Sequence, residues 1–421
     1  MKKRVLILNC GTLASTDINM SLRYNDEFEI WGASVNRNHG IYVYENYIED
    51  IPNISDENFI KILNQKIKEY DFKFIFAPHE DLALFLQEHK SEINATIVCS
   101  EYETALLCRY KSKTYEKMKG YNFIPKVFKK EDVKEFPVFM KKDTDQGGRN
   151  AYKVQNKEEL EIYSLIENMI ICEYLPGEEV TIDCFTNKEG KLLYCNPRLA
   201  ERMLAGIDVH AKRIELSEEI KYIADSLNKE IKFRGFWFFQ IKKDINGKFK
   251  LLEIATRLAG AFALNKSLDV NLPLMALKDF DGQDVEILFN DVNVEVDKQF
   301  ISRYILDMDY DEIYIDFKTC FENLKIIDTF LMMFIYQCVN KNKKINLVIE
   351  NYESTLEKLE NKKININLFD ELLDKNEIIK KINKNSIFIS NNNKFKNILR
   401  NEKGINCFST NSIEVLLDWK A

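Results

Sequence analysis

A lysine at the end of an apolar strand, with paired glycines six residues on, is a combination that can hold phosphate. In Phe139-Met-Lys-Lys142 the strand lysine is Lys141, and Gly147-Gly148 follow within Gln146-Gly-Gly-Arg149. Phosphate oxygens need cations and backbone N–H donors, and glycine lets a backbone approach closely without a Cβ in the way. The spacing lets the loop fold over phosphates held by the lysine. The other reading of the stretch is an ordinary hairpin turn with surface lysines. Further along stand Cys172-Glu-Tyr-Leu-Pro-Gly-Glu-Glu179, with a turn at Pro176-Gly177, and Leu251-Leu-Glu-Ile-Ala-Thr-Arg-Leu-Ala-Gly260.

A strand lysine, a glycine loop, an acidic hinge and then Glu-x-x-x-Arg, in that order, resemble the ATP-grasp superfamily. The resemblance implies ATP and Mg²⁺ as cofactors and assigns roles by position. Lys141 with Gly147 and Gly148 would hold the phosphates, and Lys111, at the start of a helix after Tyr110, would supply a second cation near the α-phosphate. Backbone groups near Tyr174 and Leu175 would read the adenine edge, Glu173 would contact its amino group, and Glu179 would accept ribose hydroxyls. Mg²⁺ takes oxygen ligands, and Glu253 and Gln240 match the family's metal positions. Arg257 matches the arginine that steadies the transferring phosphoryl group, a role suited to its planar fork. Arg198 and Arg202 fit either a substrate carboxylate or acyl phosphate, or plain surface ion pairs. The chain departs from the family at Lys142, where Pro is usual, at Asp145, where Gly is common, and at Ala255, where a third metal ligand, Asn, is usual. Without the resemblance, residues 172–179 read as a hairpin with exposed glutamates, and Lys111 as a solvated residue of a lysine-rich helix.

The elements that must position these residues follow from the whole chain. Its 421 residues are enough for two to four compact units. Residues 1–107 alternate strand and helix, with strands at Val5–Leu8, Glu29–Ser34, Phe72–Ala77 and Ala95–Cys99 and helices around 57–69 and 80–90. This is the βαβ signature of a parallel sheet, matching the Rossmann-like domain that normally precedes ATP-grasp. Asn9-Cys-Gly-Thr12 reads as a nucleotide-binding turn or a structural one. Residues 108–178 would be the small lobe and 179–294 the large lobe of a two-lobed α+β ATP-grasp domain. The large lobe has strands expected at Val180–Phe185, Leu192–Asn196, Gly235–Ile241 and Phe249–Ile254, and Arg198 and Arg202 follow the strand end at Asn196-Pro197. The fold class is thus α/β multidomain.

Residues 295–421 complete the chain. Glu312-Ile-Tyr-Ile-Asp-Phe-Lys-Thr-Cys-Phe321 and Ser386-Ile-Phe-Ile-Ser-Asn-Asn392 resemble the nucleophile and Mg²⁺ strands of haloacid dehalogenase (HAD)-type phosphatases. The nucleophile position is kept as Asp316. Lys318 replaces the general acid, and Ser390 and Asn391 replace the metal carboxylates, so a metal-assisted phosphoryl transfer should fail. A degenerate HAD-like α/β domain is expected, in which Lys318 could pair with Asp316.

Composition narrows the function. A net charge of −7 offers no basic excess for nucleic acid. Nine cysteines without a C-x-x-C pair favour free thiols in a reducing cytoplasm. The four histidines are too dispersed for a metal cluster. Lys2-Lys3-Arg4 precedes an apolar run that Asn9-Cys-Gly11 interrupts, too short for a signal peptide, and no window reaches a membrane span. The expectation is a cytoplasmic ligase, with a homodimer as the default assembly. It would activate a small-molecule carboxylate as an acyl phosphate for attack by an amine. Two alternatives stand beside it: carboxyphosphate chemistry of the carbamoyl-phosphate synthase or biotin carboxylase kind, and a nucleotide-binding scaffold without turnover.

Overall fold

The structure, a computed structural model, describes residues 2–145, 148–204, 207–299, 301–323 and 326–420. The chain forms two compact units, residues 1–300 and 301–420.

The first unit opens with five parallel strands: β1 (Lys3–Leu8), β2 (Phe28–Ala33), β3 (Asn46–Ile48), β4 (Phe72–Phe76) and β5 (Thr96–Ile97). They lie in the order β3-β2-β1-β4-β5. Helices cover both faces, so Val5–Leu8 is buried throughout, as expected for a parallel strand without a solvent side. The expected helices form as Phe59–Tyr70 and Glu80–Glu88. Thr12 caps the helix Leu13–Ser21 by accepting from Ser15 N (3.2 Å), and a Cβ at Gly11 would lie 2.4 Å from Asn38 Oδ1. The Asn9–Thr12 turn is therefore packed as a structural turn.

A small antiparallel sheet follows, made of β6 (Val127–Phe128), β7 (Val138–Lys142), β8 (Ala151–Val154) and β9 (Met169–Glu173), in the order β6-β9-β7-β8. The larger sheet contains β10 (Glu179–Thr186), β11 (Leu192–Leu204), β12 (Ile207–Arg213), β13 (Gly235–Lys243), β14 (Phe249–Ala255) and β15 (Glu295–Asp297). Its order is β14-β13-β10-β11-β12-β15. Two expectations are corrected here. The strand expected to stop at Asn196-Pro197 continues to Leu204, because its partner β12 pairs with it as far as Leu204↔Ile207. The boundary expected at residue 294 moves to 300, because β15 pairs with β12 and completes the sheet.

One face of the larger sheet buries Val180, Ile182, Phe239 and Ile241 against the helix Glu218–Glu230, and Tyr115 and Phe123 of the preceding segment join this core. A second core joins the first sheet to the larger lobe: Val5, Phe28, Phe74 and Phe76 pack with Phe236, Leu258 and Phe262. These two cores fix the end of β4, the helix Lys111–Lys117 and β14 relative to one another.

The second unit is a five-stranded parallel sheet of β16 (Glu312–Asp316), β17 (Lys344–Val348), β18 (Glu371–Leu373), β19 (Ser386–Ile389) and β20 (Asn406–Phe408). The order is β18-β17-β16-β19-β20, so the winding reverses between β16 and β19. Among the described residues, no helix is long and apolar enough to cross a membrane. All nine cysteines are free thiols.

Candidate functional site

The site is built where β14 meets the small lobe. Directly opposed residues of an antiparallel pair share a face, and one such row runs Glu253–Gln240–Thr181 across β14, β13 and β10. Gln240 Nε2 donates to Thr181 Oγ1 at 3.2 Å. Glu253 is 20% exposed, and its Oε2 lies 3.2 Å from Lys111 Nζ. The Lys111 side chain is held at the start of its helix, where Nζ donates to Asp145 O at 2.8 Å. Asp143 fixes that helix end, accepting from Ser112 N (2.7 Å) and Ser112 Oγ (2.6 Å). This residue just past β7 therefore ties the glycine-loop segment to the lysine helix.

Lys141, at the end of β7, is buried and reaches the same place. Its Nζ donates to Tyr115 Oη and to Leu252 O, both at 2.9 Å. Burial pushes the Lys141 ammonium below the usual lysine range, Cys172 opposes this, and Lys111 adds to it. Two lysines and a carboxylate thus converge on one corner of the sheet, with Gln240 directly opposite the carboxylate on the neighbouring strand. Oxygen donors from Glu253 and Gln240 suit Mg²⁺, which is commonly bound through one or two carboxylates together with substrate phosphates and waters. Ala255, in the same strand, supplies no donor.

The hinge has two close approaches. A Cβ at Gly177 would lie 2.6 Å from Lys243 Cβ and 2.9 Å from Lys243 O, so glycine is required for β9 to cross into β10 here. Lys153 Nζ lies 4.2 Å from the centre of the Tyr174 ring, and Leu175 is buried. Glu179 is half-buried and pairs with Lys242 at 3.3 Å. Glu173 is engaged elsewhere: its Oε1 accepts from Lys126 N at 2.8 Å. Gly148 has φ +70°, a left-handed conformation natural to glycine. Gly147 lies outside the described residues.

Two expected site residues are held in ion pairs, one of the two readings given for them. Arg198 is fully buried, with Nε 3.2 Å from Asp183 Oδ2 and its guanidinium also bonded to Asp208. It shares the Thr181 row, and its Nη2 has no hydrogen-bond partner among the described residues. Arg202 sits on the far stretch of β11, 57% exposed and paired with Asp297 of β15.

Arg257 does reach the site region, and it brings residues that the sequence reading missed. Its Nε lies 3.6 Å from Glu80 Oε1, and Arg109 Nη1 lies 3.6 Å from Glu80 Oε2. Burial pushes the Glu80 carboxyl up, against the opposing pull of Arg257 and Arg109. Burial also lowers His79, and Arg257 adds to that effect. Glu80 follows β4 where the sheet order reverses between β1 and β4, and ligands of parallel sheets bind at such reversals. That rule, applied to the strand expected at Phe72–Ala77, is the signal that could have found it. Nothing in the residue pattern marks Tyr115, whose hydroxyl donates to the Leu252 carbonyl at 2.7 Å.

In the second unit, Asp316 is 2% exposed at the end of β16. Its Oδ2 accepts from Ser390 Oγ (2.6 Å) and Thr319 Oγ1 (3.0 Å). Asn391 closes the crevice further, donating its amide to Thr319 O (3.2 Å) and Thr410 Oγ1 (2.9 Å). The expected Lys318–Asp316 pair is corrected: Lys318 pairs with Glu350 at 2.8 Å, and Lys375 reaches the same carboxylate at 2.6 Å.

With this geometry in place, comparison with known proteins is informative. Residues 166–301 match the family model described as ATP-grasp in the biosynthetic pathway with Ter operon. No curated protein matches the chain. Among solved structures, the biotin carboxylase domain of Hydrogenobacter thermophilus 2-oxoglutarate carboxylase, in complex with MgADP, ADP and bicarbonate, is similar. It has 16% identity and a TM-score of 0.57, over 68% of this chain and 71% of that one. Staphylococcus aureus N5-carboxyaminoimidazole synthetase with ADP is 17% identical with a TM-score of 0.57, over 69% and 80% of the two chains. The L-amino acid ligase of Bacillus licheniformis is 16% identical with a TM-score of 0.53, over 66% and 74%. The chain has the ATP-grasp fold, and its residues 166–301 match an ATP-grasp family model.

Proposed function

We propose that this chain is an ATP-dependent ligase that activates a small-molecule carboxylate for attack by an amine. The observation that carries the reading is the convergence of Lys111 and Lys141 on Glu253 and its neighbour Gln240. A substrate carboxylate oxygen attacks the γ-phosphorus of ATP, ADP leaves, and an acyl phosphate results. The amine nitrogen then attacks the acyl carbon, phosphate leaves with the C–O bond electrons, and the amine loses its proton to give the amide. Mg²⁺, held by Glu253 and Gln240, would supply charge neutralisation for the phosphates.

The chain's own residues mainly position and neutralise. Lys141 and Lys111 hold phosphate oxygens, and Gly148 with its loop covers them. Tyr174 and Leu175 face the adenine, Glu179 the ribose, and Arg257 steadies the transferred phosphoryl group. Glu173 would reach the adenine amino group only by releasing Lys126, which holds both its carboxylate and its backbone N–H. Residues 1–107 serve as a Rossmann-like platform. Residues 301–420 are a degenerate HAD-like domain without turnover; the hydroxyl-capped Asp316 supports that reading.

A second reading has bicarbonate as the activated acid, and it is favoured by the fold similarity to a biotin carboxylase domain solved with bicarbonate. Purified protein with Mg-ATP and pools of carboxylic acids and amines separates the two. ADP release that needs an organic acid, with the acyl group trapped by hydroxylamine as a hydroxamate, is the expected result. Release driven by bicarbonate alone makes the second reading correct, and no acid-dependent release in any pool removes both.

A further inference from the structure

We propose that Tyr115 is the positioning residue for Lys141, holding its ammonium against a backbone carbonyl that a β-bulge delivers from the metal strand. The inference rests on the reading of Lys141 as a phosphate-binding cation.

The bulge lies in the pairing of β13 with β14. Gln240 faces Glu253 but Ile241 faces Leu251, so Leu252 is an extra residue on β14. A bulge residue leaves the ladder locally, and its carbonyl is free to serve another donor. Leu252 O accepts from Tyr115 Oη at 2.7 Å and from Lys141 Nζ at 2.9 Å. Tyr115 Oη in turn accepts from Lys141 Nζ at 2.9 Å, closing a three-membered ring of hydrogen bonds. The phenol is itself locked, 4% exposed in the core with Met118, Phe123 and Ile254.

This arrangement does two things a carboxylate partner would not. It satisfies two of the three Nζ donors with neutral oxygens, so the positive charge is not cancelled by the groups that orient it. It also sets the ammonium by way of the residue preceding Glu253, so the phosphate lysine and the proposed metal carboxylate share one backbone reference. Burial keeps the Tyr115 phenol protonated by raising its pKa well above the usual range, which preserves the donor to Leu252. A Phe at 115 keeps the packing and deletes the ring of hydrogen bonds. The Lys141 ammonium then loses a fixed acceptor in a buried place, where charged hydrogen bonds matter most.

The test is a double-mutant cycle on the full chain, read as affinity for Mg-AMP-PNP by titration calorimetry. Tyr115→Phe is expected to bind about tenfold more weakly than wild type. Lys141→Met is expected to lose at least as much, and the double variant to bind within about twofold of Lys141→Met alone, because both changes remove the same held cation. Ile254→Val trims the core around the phenol while leaving its hydroxyl and the ring of hydrogen bonds in place; it is the packing control and should lower Tm while leaving affinity unchanged. Additive losses, affinity of Tyr115→Phe within twofold of wild type, or an equal loss in Ile254→Val each overturn the positioning role. If Lys141→Met binds like wild type, the phosphate-lysine reading falls first and the role of Tyr115 with it.

Discussion

Glu253 and Asp316 are both carboxylates set at or near strand ends, and their surroundings separate a site that can exchange partners from one that cannot. Glu253 is 20% exposed, and its close partner is the lysine Lys111, a charged group that is not part of its own strand. Asp316 is 2% exposed, and its partners are the hydroxyls of Thr319, in the helical turn after β16, and Ser390, just past β19. Hydroxyl donors satisfy a carboxylate without supplying charge, and the asparagine bridge to Thr410 fills the remaining approach. The difference teaches that a strand-end carboxylate is informative about chemistry only together with the charge and mobility of what it touches.

The sharpest way to break the comparison is Glu253→Gln. It removes charge and leaves shape, so the fold should persist. The Mg²⁺-dependent part of ATP affinity and any acid-dependent ADP release should fall by about a hundredfold or more, the scale of losing a metal's charge stabilisation. Titration with Mg-ATP against ATP in EDTA reads this directly, and loss within a few-fold of wild type removes Glu253 from the metal site. The matching change in the second unit is Asp316→Ala. It removes the shared acceptor of the Ser390 and Thr319 hydroxyls, which keep each other at 3.1 Å and backbone donors, and should cost about 1–3 kcal/mol in denaturant unfolding. Nucleotide affinity should not change, and neither protein should hydrolyse p-nitrophenyl phosphate with Mg²⁺. Hydrolysis by wild type that disappears in Asp316→Ala means that another carboxylate rebuilds the crevice.

Strand positions were legible because they depend on local pattern. Val5–Leu8, the Lys141 strand and Glu253 sit in apolar runs whose period or ending marks them. Arg198 was not legible, because its fate depends on Asp183 and Asp208 across two strand pairings, and nothing near Arg198 in sequence announces either one. The partner of Arg202 was hidden for a related reason. Pro197 reads as a strand end, yet it lies within β11 and the strand runs on to carry Arg202 to Asp297. Tyr115 depends on the Leu252 carbonyl, which no side-chain pattern encodes. Lys318 was read toward the nearest acid in sequence, Asp316, whereas parallel strand order brings Glu350 within reach.

The second unit also carries a polar residue inside its sheet that contributes nothing visible. Asn346 is fully buried on β17, between Tyr314 and Glu371 in register, and neither its amide nitrogen nor its oxygen finds a partner among the described residues. A buried polar group without hydrogen bonds costs more than an apolar group of the same shape. Asn346→Leu should therefore stabilise the protein by about 1 kcal/mol, read as a higher urea midpoint with an unchanged slope. A lower midpoint would show that the amide is satisfied by water.

The smallest effect distinguishes the rim of the second unit from its sealed interior. Hydrogen bonds from Lys318 and Lys375 hold the Glu350 carboxyl down to about 2, from an ordinary value of 4.5. A carboxylate depressed in the folded state stabilises that state above its unfolded pKa, and the contribution is lost as pH falls through the window from about 4.5 to about 2. Glu350 is 47% exposed, so solvent screening confines the contribution to about 0–1 kcal/mol. Glu350→Gln should melt slightly below wild type at pH 7, with the gap narrowing below pH 4.5 and shrinking in high salt. If Lys318 served Asp316 instead, Asp316→Asn would remove the pH-dependent gap and Glu350→Gln would not. Melting curves of the two variants across that range decide which carboxylate the lysine serves.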